Sequence, residues 1–156
     1  MFLSDDSAPS KLITSDDVRL LAAIGFLSAK SGCVAPAIRI FESLIKLRPG
    51  AVFPFIGLSI AYMAVGMNQD SLYVLTERAA RAGNDDEVLY LWRSLAFHQL
   101  GNRTLAADSL LKYKSGPSVD GLHALTEKLT EELGLRPAVP DWPLPAVVSD
   151  QETTFY

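Results

Sequence analysis

Residues 21–49 read LAAIGFLSAKSGCVAPAIRIFESLIKLRP, two runs of apolar residues at helical spacing separated by one glycine. The first run ends at Gly32, and Pro49 follows the second. Glycine supplies the left-handed residue that ends many helices, and proline cannot continue a helix. The stretch therefore predicts a helix–turn–helix unit that ends at Pro49.

A turn glycine of this kind occurs three times. Gly32, Gly66 and Gly101 lie 34 and 35 residues apart, and each closes a run of apolar residues at helical spacing. Small residues also recur where the two helices of a pair must approach closely. These pairs are Gly25 with Ala37, Ser59 with Ser71, and Ser94 with Ala106. No alternating pattern typical of a strand extends beyond a few residues, so the sequence predicts stacked helical hairpins without a sheet.

The period and the residue types resemble the tetratricopeptide repeat (TPR), whose consensus is W-x2-L-G-x2-Y, then A-x3-F, then P. The matching positions, repeat by repeat, are Leu21, Ile24, Gly25, Ser28, Ala37, Phe41 and Pro49; Phe55, Leu58, Ser59, Tyr62, Ser71 and Leu75; and Tyr90, Arg93, Ser94, Phe97, Ala106 and Leu110. The third repeat departs from the consensus at Arg93, where an apolar residue is usual. The second and third repeats also lack the closing proline, which leaves their inter-repeat turns undefined by the pattern.

The resemblance implies an all-α, TPR-like helical solenoid of three helix–turn–helix repeats plus a C-terminal capping helix. Thr14 or Ser15 can cap the first helix. We expect helices near 16–31, 35–47, 52–65, 69–82, 86–100, 103–114 and 119–133. The last helix carries a single apolar stripe formed by Leu122, Leu125, Leu129 and Leu133. One apolar stripe with a polar outer face suits the cap that a solenoid requires.

Three segments follow one another along the chain. They are a flexible N-terminus (1–14), the TPR domain with its capping helix (15–134) and a proline-rich tail (135–156). Four prolines in the tail favour extended polyproline II structure. Two interpretations of this tail stay open, namely disorder, or a strap that folds back and docks Trp142 on the solenoid.

Composition narrows the classes of partner. The chain has a formal net charge of −4 and no basic stripe, so nucleic acid is an unexpected partner. Its single cysteine, Cys33, fits a reducing, cytoplasmic compartment, and we expect this thiol to be partly buried. Residues 49–69 hold no charged side chain. We interpret them as the buried centre of the solenoid and expect no membrane insertion, because the segment contains prolines and polar residues in phase with the repeat.

Nothing in the sequence indicates an enzyme. No glycine-rich phosphate loop and no nucleophile elbow occur. His98 and His123 fall on different predicted helices, without a cysteine or carboxylate at metal-ligand spacing. We therefore expect no catalytic residue, no metal and no cofactor.

The TPR resemblance implies that the first helix of each pair lines a concave groove, where a protein partner binds. The residues predicted for the centre of this groove are apolar: Phe26, Phe53, Ile56, Ile60, Met63, Leu91, Trp92 and Leu95. TPR domains that hold acidic chaperone C-termini carry Lys, Asn and Arg here. The matching positions in the first two repeats are Ala22, Phe26, Ile56 and Ile60. We therefore expect an extended or helical partner segment with hydrophobic anchors.

The size, three repeats, closing helix and apolar groove resemble the TPR chaperones of type III secretion systems. This resemblance implies a cytoplasmic, non-enzymatic chaperone that holds an apolar segment of a secreted or export-apparatus protein. Two alternatives stay open at this stage. One is a TPR scaffold or assembly factor of a pilus or other envelope complex, and the other is a homodimer that uses the same groove.

Overall fold

The structure, a computed structural model, describes residues 13–113 and 120–135. Within these two ranges the chain forms seven helices and no strand, which confirms the predicted all-α class. They are α1 (Ser15–Lys30), α2 (Val34–Leu47), α3 (Phe53–Ala64), α4 (68–81), α5 (Val88–Gln99), α6 (Arg103–Lys112) and α7 (Asp120–Glu132). The predicted boundaries are correct to within about two residues. The predicted flexible segment 1–14 and tail 135–156 lie almost entirely outside the described residues.

The predicted turn glycines end α1, α3 and α5 with the expected backbone. Gly32 has φ 79°, Gly66 φ 76° and Gly101 φ 77°. At the first turn, the N–H of Cys33 donates to the Ser28 carbonyl at 2.8 Å, which is the hydrogen bond that closes a left-handed helix end. Cys33 itself is exposed, contrary to our expectation, because it lies just outside this turn at the start of α2.

Small side chains lie at the crossing of each helix pair, as predicted. Ser59, Ser71, Ser94, Ala37 and Ala106 are all 0% exposed. In the third pair, the hydroxyl of Ser94 donates to the Ala106 carbonyl at 2.8 Å. A larger side chain at these positions would separate the helices and break such direct contacts.

Helices α1, α3 and α5 form one layer, because α3 packs against α1 on one side and α5 on the other. Helices α2, α4 and α6 are their respective partners. The capping helix α7 packs on α5 and α6, as the next member of the first layer would. A capping box fixes the start of α1, where Thr14 accepts from the Asp17 N–H and Asp17 accepts from the Thr14 N–H.

The loop after the second repeat is ordered without the consensus proline. Gly83 adopts φ 77° and ends α4. Asn84 is 9% exposed, and its Nδ2 donates to the Pro49 carbonyl at 3.2 Å. This hydrogen bond ties the loop after the second repeat to the loop after the first, so side-chain bonding replaces the stiffness that proline would give.

Helix α4 contains a π turn, Val74–Arg78, between the α-helical segments Asn68–Tyr73 and Ala79–Arg81. Arg93 of α5 reaches this turn. Its Nε donates to the Leu75 carbonyl at 3.0 Å, and its Nη2 donates to the same oxygen. The departure from the TPR consensus at Arg93 is thus explained by a hydrogen-bonding role that an apolar residue could not fill.

Candidate functional site

The candidate groove lies on the α1–α3–α5 layer, on the side turned away from the core. On α3, Ile56 and Ile60 are half-buried and lie opposite Leu58, which is 0% exposed. On α5, Trp92 and Leu95 are also half-buried and lie on one side of the helix. Each of these side chains presents part of its apolar surface to solvent.

Phe26 and Phe53 extend this surface toward the first repeat. Phe26 is 36% exposed, and its ring meets Phe41 edge-on with the ring centroids 4.9 Å apart. Phe53 is half-buried and packs against the main core, as do Ile56 and Trp92. Core packing therefore holds Phe53, Ile56 and Trp92 in place while part of their apolar surface stays exposed. We call these six residues, Phe26, Phe53, Ile56, Ile60, Trp92 and Leu95, the inner apolar face.

Two predicted groove residues do not belong to this face. Leu91 is 0% exposed and packs with Leu129 of the capping helix and with Leu133 directly after it. Its placement in the groove was wrong because α7 covers the side of α5 that carries it. Met63 is 9% exposed and is likewise buried. Neither side chain offers surface to a partner in this conformation.

His98 lies beside the capping helix. Its Nε2 is 2.9 Å from an Oε2 of Glu132, so the pair joins α5 to α7. Within residues 13–113 and 120–135, no three His, Cys, Asp or Glu side chains come together in a way that could hold a metal ion. Among the same residues, no helix is both long and apolar enough to cross a membrane.

An ion pair on the opposite layer was not predicted. Arg78 donates from Nη1 and Nη2 to the two carboxylate oxygens of Glu42, at 2.6 and 2.8 Å. The pair joins α2 to α4 beside an open crevice of about 580 Å³ lined by Glu42, Ile45, Phe55, Tyr73, Arg78, Arg81 and Ala82. Its members lie 36 residues apart. A sequence signal for this ion pair was available, namely two opposite charges about one repeat period apart on the second helices of neighbouring repeats.

This ion pair predicts a pH-dependent stability. The Arg78 hydrogen bonds hold the pKa of the Glu42 carboxyl below its ordinary value, although burial acts in the opposite direction. A lowered carboxyl pKa stabilises the fold above the ordinary value, and that contribution disappears as the pH falls through the lowered one. Glu42→Gln should therefore cost about 1 kcal/mol at neutral pH, discounted for partial exposure, and this cost should shrink as the pH falls through the lowered pKa of the carboxyl.

Urea denaturation at a series of pH values measures this dependence. The control is Glu77→Gln, whose carboxylate lies 3.8 Å from Arg81 with both side chains well exposed. The control should change stability little at any pH. A Glu42→Gln penalty that does not decrease at any acidic pH at which the protein stays folded would contradict the assignment.

Solved structures with the same architecture include PcrH and the chaperone SycD. PcrH from Pseudomonas aeruginosa superimposes with a TM-score of 0.63 at 20% sequence identity, over 78% of this chain and 94% of PcrH. The type III secretion translocator chaperone SycD from Yersinia enterocolitica superimposes with a TM-score of 0.66 at 19% identity, over 80% of this chain and 93% of SycD. This chain has the SycD fold.

A second SycD structure contains a bound peptide of the translocator YopD. It superimposes with a TM-score of 0.60 at 20% identity, over 79% of this chain and 96% of that SycD chain. No family model and no curated protein matches the sequence. The SycD fold therefore rests on three-dimensional similarity, and it confirms the TPR-like architecture that the glycine period predicted.

Proposed function

We propose that this protein is a cytoplasmic, non-enzymatic chaperone that holds an apolar segment of a secreted or export-apparatus protein on its inner apolar face. The observation that carries this proposal is the SycD fold together with that face. SycD binds a peptide of the translocator YopD, and this chain presents six partly exposed apolar side chains on its α1–α3–α5 layer.

The composition of the face favours a hydrophobic client segment. Ile56 and Ile60 occupy its centre, where charged side chains would be needed to hold a carboxylate. Phe26 and Trp92 stand on either side of them, on α1 and α5. Because core packing already holds Phe53, Ile56 and Trp92, binding a client there loses little side-chain conformational entropy. Covering this face also keeps the client's own apolar segment from aggregating.

Replacing Ile60 with aspartate should abolish client binding and leave the chaperone folded. The substitution places a charge in the centre of the face, and desolvating it against an apolar segment weakens binding by about 100-fold or more. Leu111→Asp is the matched control, because Leu111 is also a surface aliphatic residue, 72% exposed on α6. Circular dichroism and urea denaturation check that both variants fold.

The client is first captured from the native cell under reducing conditions and identified by mass spectrometry. Synthetic segments of the captured protein are then titrated against wild type, Ile60→Asp and Leu111→Asp. Tight binding of one apolar segment to wild type and Leu111→Asp alone supports the proposal. Equal binding by folded Ile60→Asp overturns the site. A stable complex with non-exported envelope proteins would favour the scaffold alternative.

A further inference from the structure

We propose that the chain's own residues 136–156 dock on the inner apolar face and compete there with a client. We call these residues, which lie outside the described part of the chain, the proline-rich segment. Their docking is independent of the proposed function, whereas the competition rests on it, because the client must then use the same face. The proposal depends on where the described chain ends, on the length that remains and on the chemistry of that length.

The described chain ends beside one edge of the inner apolar face. Leu135 and Leu95 pack against the same buried cluster, which includes Leu129, and Leu95 belongs to the face. The ion pair of His98 with Glu132 places the end of α7 beside the last turn of α5. The proline-rich segment therefore starts next to the face, and no long loop has to cross the molecule before docking can begin.

The end of α7 is a tight turn. Gly134 has φ 69°, and the N–H of Leu135 donates to the Thr130 carbonyl at 2.9 Å. The N–H of Gly134 donates to the Glu131 carbonyl at 3.0 Å, and this pair of bonds ends a helix. Pro137 disfavours helical backbone in the residue before it. The helix therefore does not carry the chain away from the stack, and the residues that follow are free to dock.

The proline-rich segment is long enough to cover the face. Trp142 lies seven residues after Leu135, which is about 20 Å at the ~3.1 Å rise of polyproline II. Packed helices lie about 8–10 Å apart, so α3 is about 10 Å and α1 about 20 Å from α5. Trp142 can therefore reach Ile60 on α3, and Val148 can reach Phe26 on α1.

The composition of the proline-rich segment matches this face. Residues 142–149 read WPLPAVVS and carry no charged side chain, so docking them desolvates no charge. Proline-rich segments that favour polyproline II lose little conformational entropy on binding, and they dock on surfaces lined by aromatic side chains. The face supplies three such side chains, namely Phe26, Phe53 and Trp92.

Tethering makes a weak contact sufficient. A segment attached close to its site has an effective concentration on the order of 1 mM. If the free segment bound with a dissociation constant of about 0.1 mM, the tethered one would occupy about nine-tenths of the faces. The apparent dissociation constant of a client would then rise about 10-fold. The segment would thus cover the face when no client is present and yield to a client that binds tightly.

Methyl NMR of the full chain without any client tests the docking. A chain with Cys33→Ser and Ser149→Cys has a single thiol, which carries a nitroxide on the proline-rich segment. The nitroxide should remove most of the intensity of the Ile56 and Ile60 methyl signals. The methyl signals of Leu111, which is 72% exposed on α6, should keep their intensity. The same sample with the nitroxide reduced is the reference.

Unchanged Ile56 and Ile60 signals overturn the proposal, and so do equal losses at Leu111. A second sample mixes nitroxide-bearing chains that lack the isotope label with labelled chains that lack the nitroxide. Undiminished Ile60 signals in this mixture support docking within one chain. Losses as large as those in the first sample show that the segment docks on another copy, which overturns docking within one chain.

Titration of the captured client segment tests the competition. Trp142→Ser in the full chain should lower the dissociation constant of that segment about 10-fold. Phe2→Ser, which removes an aromatic residue near the other end of the sequence, should leave it unchanged. An unchanged constant in Trp142→Ser overturns the competition. Equal client binding by folded Ile60→Asp overturns the competition together with the proposed client site, whereas the nitroxide result, obtained without a client, still decides the docking.

Discussion

Replacing Gly57 with alanine should lower the free energy of unfolding by about 2–3 kcal/mol, although alanine is the better helix former by about 1 kcal/mol. A Cβ at Gly57 would overlap the ring of Phe41. That ring is 0% exposed and also packs close to the backbone of Gly25 on α1, where an added Cβ would lie 2.8 Å from it, so it has little room to move aside. The added methyl group must therefore push α3 away from α2. Urea denaturation measures the loss.

A double-mutant cycle identifies the cause. Phe41→Leu alone should destabilise the chain by about 1–2 kcal/mol, since it leaves a small cavity. In that background the penalty of Gly57→Ala should largely vanish, because the smaller side chain leaves room for the methyl group. Gly121→Ala on α7 is the control, since a Cβ there meets nothing within 4 Å. Additive effects of Gly57→Ala and Phe41→Leu would contradict the contact.

The features that the sequence predicted well are those that depend on nearby residues. Gly32, Gly66 and Gly101 mark helix ends because a positive φ is a local requirement. Ser94 and Ala106 mark a helix crossing because only small side chains fit there, and their spacing from the turn is fixed by the helical pitch. Both signals repeat three times, so the period specified the architecture although no long-range contact was known.

The errors arose where contacts between distant segments decide the outcome. Leu91 has the spacing of a groove residue, yet α7 covers it, and α7 lies about 30 residues further along the chain. The members of the Glu42–Arg78 pair lie 36 residues apart, and opposite charges about one repeat period apart do not by themselves show that the two side chains meet. Periodicity shows which side of a helix is apolar, but it does not show which neighbour covers that side.

For the candidate site too, the sequence indicated which side chains are apolar but not which of them are covered by other helices. Phe26, Ile56 and Ile60 keep partly exposed apolar surface, as the repeat phase indicated. Their role in binding a client stays a prediction. The exposure of Leu20 and Leu27 on α1 was missed because both residues fit the apolar spacing of any core-facing helix, and only the packing shows that no neighbour in the described chain covers them.

Arg93 offers a case in which the repeat consensus and the packing predict opposite results. The consensus has an apolar residue at this position, and a substitution toward the consensus is ordinarily stabilising. In the structure, the Arg93 guanidinium donates twice to the Leu75 carbonyl in the π turn of α4. The same guanidinium lies over the Tyr90 ring, 4.9 Å from its centroid. Both the hydrogen bonds to Leu75 and the contact with the Tyr90 ring are made by the Arg93 guanidinium, which an apolar side chain lacks.

Arg93→Met should therefore destabilise the chain by about 2 kcal/mol, because it removes charge-assisted hydrogen bonds to a partly buried carbonyl and keeps only the aliphatic stem. Urea denaturation measures the loss, and faster amide exchange in α4 should accompany it, since the π turn loses its support. Arg93→Lys should recover only part of the stability, because an ammonium on a flexible stem lacks the fixed pair of donors that the guanidinium directs at the Leu75 carbonyl oxygen. Arg39→Met, at an exposed position of α2, controls for the loss of a surface charge. If Arg93→Met were as stable as wild type or more stable, the consensus would outweigh the contact, and the π turn would have to hold its geometry without the arginine.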